Sequence, residues 1–381
     1  MKVLVTGSKG FIGRNLEVRL KEQNIDVLCL DRFGTTNSIV TLLDGVDCVF
    51  HLAGVNRPFV ASEYETGNVE LTRQLCDAVK LRVRRDRKRI RVVFSSSIQA
   101  DTNSPYGMSK KAAEDYLFDA GSDPLINVFV FRLANVFGKW GRPNYNSVVA
   151  TFCHNLARDL PIEIHDPDSK LQLVFIDDVI NRFLSILNTD HTPSNSCRFL
   201  DCGPVYEMTV GDLADRLEEF KASRQTLDVG EVAVGLQRAL YATYVSYLPI
   251  ERVSYEVPSY RDSRGKFIEM IKTPRSGQVS IFTASPGVTR GGHYHHTKTE
   301  KFLVIRGAAI FRFRNLATDE VVELEISADD NKIVETLPGW AHDITNIGQD
   351  DLIVTLWANE VFDKTRADTY QVSLADQEGL I

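Results

Sequence analysis

The 381-residue chain has no Cys-x-x-Cys pair, and its six cysteines (Cys29, Cys48, Cys76, Cys153, Cys197 and Cys202) are scattered. No disulfide framework is implied, and buried free thiols in a reducing compartment are expected. No apolar run reaches the roughly 18 residues of a membrane span. The opening MKVLVTGSKGFIG turns glycine-rich too early for a signal peptide. A surplus of positive charge is also missing. Lys and Arg number 44 against 51 Asp and Glu, for a net charge of −7, which excludes the basic footprint of a nucleic-acid binder. The one basic run, Arg82 to Arg91, reads as a solvated helix end and loop. These absences predict a cytoplasmic protein with neither membrane nor nucleic acid as partner.

What is present suffices for two cores: 43% of residues are hydrophobic and 25% charged, with both signs interspersed. The first half alternates strand and helix patterns. Lys2–Thr6, Asp26–Leu30, Cys48–Ala53, Ile90–Ser95 and Asn127–Arg132 read as strands. Phe11–Glu22 and the stretch from Ser109 to Asp119 read as helices between them. Apolar runs separated by helices predict a parallel sheet covered on both faces. Val210–Ser223 reads as an amphipathic helix. After about Leu248 helical periodicity disappears. Short strand-like runs follow at Phe267–Lys272, Gln278–Thr283, Phe302–Arg306, Ala309–Phe313, Val321–Ile326, Lys332–Thr336 and Leu352–Trp357, the pattern of a small all-β sandwich or barrel. The expected division is residues 1–245 and 246–381.

Gly7, Gly10 and Gly13 stand between the first strand and the first helix. Glycines there permit a tight turn and let a pyrophosphate approach the backbone at a helix N-terminus. The second strand ends at Asp31–Arg32. An acidic residue at that place accepts from a ribose 2′-hydroxyl and favours NAD, whereas an adjacent arginine holds a 2′-phosphate and favours NADP. Arg32, with Lys9 as a second phosphate contact, tips the reading to NADPH.

Tyr106-Gly-Met-Ser-Lys110 places a lysine one helical turn beyond a tyrosine. The ammonium is expected to lower the phenol pKa, so that Tyr106 exchanges a proton with a carbonyl or alcohol oxygen. Ser97, with Ser96 second, is placed to hold that oxygen. Together with Thr6–Gly13 (including Lys9, Phe11 and Ile12), His51-Leu52-Ala53-Gly54 and Asn68-Val69, these residues resemble the extended short-chain dehydrogenase/reductase family. The resemblance implies a Rossmann fold, hydride transfer with a nicotinamide cofactor, and nucleotide-sugar substrates. It implies cofactor contacts from the glycine turn, Asp31, Arg32, Leu52, Ala53 and Lys110. The interval from Ser97 to Tyr106 is shorter than is usual in that family. Arg132, Asn135, Lys139, Arg142, Asn144 and Asn146 occupy the segment that binds substrate there, and their cationic and amide groups suit a diphosphate and a uracil edge.

In the second half, His293 and His295 lie two apart on a strand pattern and so face one side. With Glu300 and the distant His342 they make a mixed nitrogen and oxygen donor set that suits Zn, Fe, Mn or Ni. The set resembles both cupin motifs: Gly287, His293, His295, Glu300 and Gly307 form the first, and Gly339, His342 and Asn346 the second. Pro338-Gly339 lacks the residue normally between them.

A reductase followed by a cupin, with the strings Gly54–Pro58, Lys139–Asn146 and His295–Phe302, resembles the capsular polysaccharide biosynthesis family of CapF and WbjC along the whole chain. That resemblance implies a bifunctional, zinc-carrying homodimer acting on a UDP-sugar. The cupin would epimerise carbon 3 of a UDP-4-keto-2-acetamido-2,6-dideoxy-hexose, with His296 and Lys298 as candidate bases. The reductase would then use NADPH on the 4-ketone, giving UDP-N-acetyl-6-deoxy-talosamine on the route to UDP-N-acetyl-L-fucosamine. Two other readings fit less of the pattern. One is an NAD-dependent epimerase or dehydratase with a cupin ketoisomerase attached; the other is a reductase carrying a non-catalytic sugar-binding cupin.

Overall fold

Apolar runs rich in β-branched residues become strands when both faces are covered, as in the computed structural model of this chain. It describes residues 1–31, 36–188, 197–257, 259–262, 265–268, 271, 277–360, 365 and 367–374. Two compact units result. One comprises Met1–Phe137, Asn144–Ser147 and Leu171–Glu207, the other Gly138–Pro143, Val148–Lys170 and Met208–Ile381.

The first unit holds β1 (Lys2–Thr6), β2 (Asp26–Leu30), β3 (Cys48–His51), β4 (Ile90–Ser97), β5 (Ile126–Leu133), β6 (Asn135–Phe137), β7 (Lys170–Phe175), β8 (Cys197–Leu200) and β9 (Val205–Thr209). Six of them form one parallel sheet in the order β2-β1-β3-β4-β5-β8, and β6-β7-β9 form a smaller one. The order reverses at β1, so the carboxyl ends of β1 and β3 open onto the crevice where doubly wound sheets take ligands. This is the expected α/β Rossmann domain.

Helices of this unit are α1 (Phe11–Glu22), α2 (Thr36–Leu42), α3 (Ser62–Tyr64), α4 (Leu71–Asp86) and α5 (Pro105–Ala120), with α7 (Ile176–Ser185) after α6 (Val148–Leu156) of the other unit. Between α3 and α4 the backbone makes a π-helical stretch, Glu65–Glu70. Leu75, Val79 and Val83 recur at four-residue spacing on α4. They pack with Ala113 and Leu117 of α5 against Leu4, Val49, Val92 and Val128 of the sheet. Burying each such side chain contributes about 1.5–3 kcal/mol. The basic run departs from the expected solvated face at both ends: Arg91 is buried in β4, and Arg82 is buried with its guanidinium donating to the carbonyls of Lys88 (2.8 Å) and Val46 (3.0 Å). A guanidinium is multidentate enough to satisfy main-chain acceptors that a helix end leaves over.

The second unit adds α8 (Val210–Thr226) and α9 (Gly235–Ser246) to an antiparallel β structure. Thr209 caps α8 in a reciprocal box with Asp212, and Leu227 ends it in the left-handed conformation. The strands are β10 (Ser254–Glu256), β11 (Ser259–Asp262), β12 (Gly265–Ile268), β13 (Gln278–Ala284), β14 (Thr289–Tyr294), β15 (Glu300–Arg306), β16 (Ala308–Asn315), β17 (Val321–Ser327), β18 (Lys332–Glu335), β19 (Trp340–Asn346), β20 (Leu352–Ala358) and β21 (Tyr370–Gln371). Two five-stranded sheets, β10-β18-β15-β20-β13 and β17-β16-β19-β14-β21, make the cupin-like domain, and β11-β12 form a hairpin. Arg224 of α8 bonds Glu335 of β18 and lies 4.1 Å from the Tyr255 ring of β10; Lys301 bonds the same Glu335 and, at 2.9 Å, the Tyr255 hydroxyl.

Strand β19 and the extent of β14 are absent from the sequence expectation; these strands carry His293 and His342, and His295 follows the end of β14. Their local signals are poor: Gly291 and Gly292 interrupt the first at a bulge, and Pro338-Gly339 precedes the second. Pairing with each other and with β16 makes them strands.

Candidate active sites

At the end of β1, Gly7 turns with φ +70° and its amide reaches the Leu30 carbonyl at 3.1 Å. Gly13 lies so close beneath the turn that an added Cβ would sit 2.2 Å from the Gly7 carbonyl oxygen. Gly10 caps α1 with no side-chain partner for the helix amides, which leaves a donor-lined cradle suited to a phosphate. Asp31 accepts from the Ser8 hydroxyl (2.8 Å) and the Lys9 amide (3.2 Å), and the Lys9 ammonium stands 3.5 Å away. Burial pushes the Asp31 carboxyl up, but these bonds outweigh it and leave it below the ordinary value. Arg32 lies outside the described residues. Gly13→Ala is expected to lower Tm and weaken dinucleotide binding through overpacking of about 1–3 kcal/mol. Thermal denaturation and fluorescence titration read both, and an unchanged Tm would contradict the contact.

The end of β3 is held by a closed chain of hydrogen bonds. Thr72 Oγ1 donates to the Asn68 carbonyl (2.6 Å), so it accepts from His51 Nε2 (2.9 Å). His51 Nδ1 then accepts from Thr6 Oγ1 (2.8 Å), which in turn receives the Leu52 and Ala53 amides, both at 3.1 Å. Burial, aided by the Lys110 charge, pushes the His51 pKa down to about 3, in keeping with a neutral ring. Leu52 and Ala53 are thereby fixed beside Gly7.

Ser104 caps α5, accepting from the Gly107 amide at 3.0 Å, and Pro105 occupies the first turn. Tyr106 therefore sits at the start of the helix, next to the end of β4, where the Ser97 hydroxyl neighbours its phenol. Burial raises the Tyr106 pKa and Ser97 draws it back. The expected depression by Lys110 is not seen: that ammonium donates to the Ser95 carbonyl at 2.8 Å and lies 4.6 Å from the Phe94 ring centroid. Burial pushes Lys110 down to about 8, with Glu114 opposing. Ser96 points elsewhere, donating to the buried Glu114 at 2.6 Å. The same Glu114 holds Arg132 through two bonds, 2.9 and 2.7 Å, and Asp101 takes its third at 2.7 Å. Arg132 is thus already engaged by carboxylates. Asn68, on the π-helical stretch, accepts from the Val55 amide (2.7 Å) and donates to the Val55 carbonyl and to Ser109 Oγ, both 2.9 Å. Asn135, Arg142, Asn144 and Asn146 are exposed, whereas Lys139 is buried with its ammonium 5.5 Å from the Trp140 ring.

In the second unit the ligand atoms of His293, His295, Glu300 and His342 all lie within 4.8 Å of one another. β14 supplies His293, the residue just past its end is His295, and β15 and β19 supply Glu300 and His342. Nε2 of His295 and of His342 approach Glu300 Oε2 at 3.3 and 3.4 Å, and neither has a hydrogen-bond partner of good geometry. Two orphaned, buried imidazole nitrogens facing one carboxylate oxygen fit a divalent cation. The Nδ1 of His295 donates to the main-chain carbonyl of Asp368, and that of His342 faces the Trp340 carbonyl at 3.5 Å, so each Nε2 presents a lone pair inward. Burial, with the neighbouring imidazoles, pushes His293 down to about 3. Lys298 Nζ stands 3.1 Å from Glu300 Oε1. His296 packs instead between the rings of Tyr294 and Tyr370. Gly339 accounts for the missing residue in the second motif: with φ +82° its amide donates to the His295 carbonyl at 2.8 Å, and a Cβ there would lie 2.5 Å from the Trp140 ring.

Sequence reasoning missed Asp368. Burial raises its carboxyl, but the neighbouring imidazoles of His296 and His295 and the amides of His296 and Lys298 hold it well below the usual carboxylate range. An aspartate in a polar tail carries no local signal of such a cage.

Residues 3–196 match the NAD dependent epimerase/dehydratase family, and residues 260–370 match the Polysaccharide biosynthesis C-terminal domain. The chain is 52% identical over 377 residues to the UDP-2-acetamido-2,6-beta-L-arabino-hexul-4-ose reductase of Pseudomonas aeruginosa, covering 99% of this chain and 100% of that one. It superposes on the crystal structure of the capsular polysaccharide assembling protein CapF from Staphylococcus aureus with TM-score 0.64 at 37% identity, covering 98% of this chain and 100% of the other. CapF in complex with the inhibitor 3-isopropenyl-tropolone matches with TM-score 0.59 at 32% identity, with the same coverage. The chain therefore belongs to the NAD dependent epimerase/dehydratase family and, along its whole length, to the CapF and WbjC type in which that module is joined to a cupin-like domain.

Proposed function

We propose that the chain is a bifunctional UDP-sugar enzyme of polysaccharide biosynthesis, with residues 1–245 as an NADPH-dependent 4-ketoreductase and residues 246–381 as a 3-epimerase. The observation that carries the reading is the Tyr106 phenol beside Ser97 at the end of β4, in a chain so similar throughout to a 4-keto UDP-sugar reductase. The glycine turn, with Leu52 and Ala53 beside it, would seat the dinucleotide. Asp31 and Lys9, together with Arg32, would take the adenosine ribose and its 2′-phosphate. A bound reduced nicotinamide supplies the hydride that goes to carbon 4. Tyr106 gives its proton to the developing alkoxide, Ser97 orients that oxygen, and the Lys110 cation steadies the phenolate left behind. One C–H and one O–H bond form, and the product is UDP-N-acetyl-6-deoxy-talosamine.

His293, His295, Glu300 and His342 would hold zinc or a similar cation, which supplies Lewis-acid stabilisation of charge on a carbonyl oxygen. A 4-ketone acidifies the hydrogen on carbon 3. Epimerisation removes that proton and returns one to the opposite face, with no net redox change. Of the two candidate bases Lys298 lies nearer the cluster, its Nζ beside Glu300, and would act as base only after giving up a proton, while His296 packs among tyrosines. The tropolone complex of CapF supports a cation here: a tropolone offers two vicinal oxygens, a bidentate pair for a divalent metal. Among the described residues no helix is long and apolar enough to cross a membrane. A homodimer belongs to the same reading, and light scattering tests it against the 42.8 kDa of one chain.

The decisive assay offers the UDP-4-keto sugar in D2O. Deuterium should enter carbon 3 without NADPH, and NADPH, in preference to NADH, should then be consumed stoichiometrically. Tightly held NAD with no net consumption would instead favour the epimerase or dehydratase reading. Absence of deuterium incorporation would leave the cupin a binding module.

A further inference from the structure

Among the described residues the tail of the β structure contributes no ligand to the His/Glu cluster, yet groups of that site take their position from it. Asp368 precedes β21 and is half-buried. Its carboxylate accepts from four donors: the amides of His296 (2.9 Å), Thr297 (2.7 Å) and Lys298 (2.8 Å), and the Thr297 hydroxyl (3.0 Å). Three successive amides aimed at one anion form a nest, which the chain fills with its own side chain. The main-chain carbonyl of the same residue accepts from His295 Nδ1. Two residues further on, β21 pairs with β14, setting Tyr370 opposite Tyr294 and Gln371 opposite His293. Lys298, whose ammonium reaches both Glu300 and Thr369, leaves the nest directly toward the cluster.

We propose that Asp368 is the positioning residue of the cupin site: its carboxylate shapes the turn from His296 to Lys298, and its carbonyl fixes the tautomer and ring angle of His295. It touches neither cation nor substrate. The carboxylate and the carbonyl act on one short segment, so the ring of His295 and the stem of Lys298 are referenced to a single residue. Without the carboxylate, three buried amides lose their acceptor and the turn must rearrange to recover one. The carbonyl then no longer stands where Nδ1 needs it. Ligand basicity and orientation depend on such outer partners. The inference rests on the reading of the cluster as a cation site.

The test uses the full-length protein, wild type, D368N and T297V, stripped with a chelator and titrated with Co2+. Visible absorption reports the ligand field, and chelator competition reports affinity. NADPH oxidation with the already epimerised ketone is followed in parallel as a control on the first domain. D368N should bind Co2+ about 10–100-fold more weakly, the usual effect of losing an outer-shell partner, with an altered spectrum and unchanged reduction. T297V removes one donor and should weaken binding about 2–10-fold, the worth of one hydrogen bond. Wild-type affinity and spectrum in D368N would overturn the assignment alone. Failure of the wild-type chain to take up Co2+ would overturn the cation reading and the assignment with it. Should D368N not fold, T297V decides: a weakened site supports the assignment, and an unchanged one refutes it.

Discussion

Replacing Tyr106 by phenylalanine is expected to lower kcat for reduction of the epimerised 4-keto UDP-sugar by about 10²–10⁴-fold, the contribution of a positioned general acid, while deuterium exchange at carbon 3 continues at the wild-type rate. The ring remains, so packing against Tyr64, 5.9 Å away between centroids, is kept and only the proton donor is lost. Burial raises the phenol pKa, which keeps the acid protonated at neutral pH and beyond. Lys110 has the opposite tendency, pushed down to about 8. Its positive charge is present below that pH and lost above it. Stabilisation of the emerging phenolate is therefore lost as pH rises, and the kcat profile should fall through about 8. Lys110→Met should lie far below wild type and lack that limb. Stopped-flow absorbance of NADPH across pH 6–10 reads both; a Tyr106→Phe enzyme that reduces at the wild-type rate would remove Tyr106 from the mechanism.

The second large effect concerns the cupin. Stripping the cation, or Glu300→Gln, should reduce carbon-3 exchange by about 10²-fold or more, because Lewis-acid stabilisation of a developing enolate contributes several kcal/mol. NADPH oxidation with the epimerised ketone should be unaffected, since Ser97, Tyr106 and Lys110 lie in the other compact unit. The glutamine keeps the shape of Glu300 but not its charge, so His295 and His342 lose the anion their Nε2 atoms now face at 3.3 and 3.4 Å. NMR of exchange in D2O and elemental analysis measure the two halves of the claim. Equal exchange in stripped and loaded enzyme would make the cation structural.

These two outcomes also separate what the residues alone announced from what folding added. The α/β and all-β halves were legible because period and burial go together. Runs such as Lys2–Thr6 and Cys48–His51 are apolar without alternation, as strands buried on both faces must be. The His293, His295, Glu300 and His342 cluster was anticipated from histidines two apart and a distant motif. The extent of β14 and the whole of β19 were not, since glycines and a bulge weaken the local signal that pairing later overrides.

Sequence by itself determined which chemical groups the chain possesses and which lie near one another along it: a glycine turn after a strand, a tyrosine one helical turn before a lysine, histidines two apart. Only the tertiary structure decided which partner each group takes. It gave Lys110 to a carbonyl, Arg132 and Ser96 to Glu114, and the carboxylate of Asp368 to a turn some seventy residues earlier in the chain. The physical reason is that hydrogen bonds and ion pairs act over about 3 Å, a distance set by packing between segments and not by spacing along the chain.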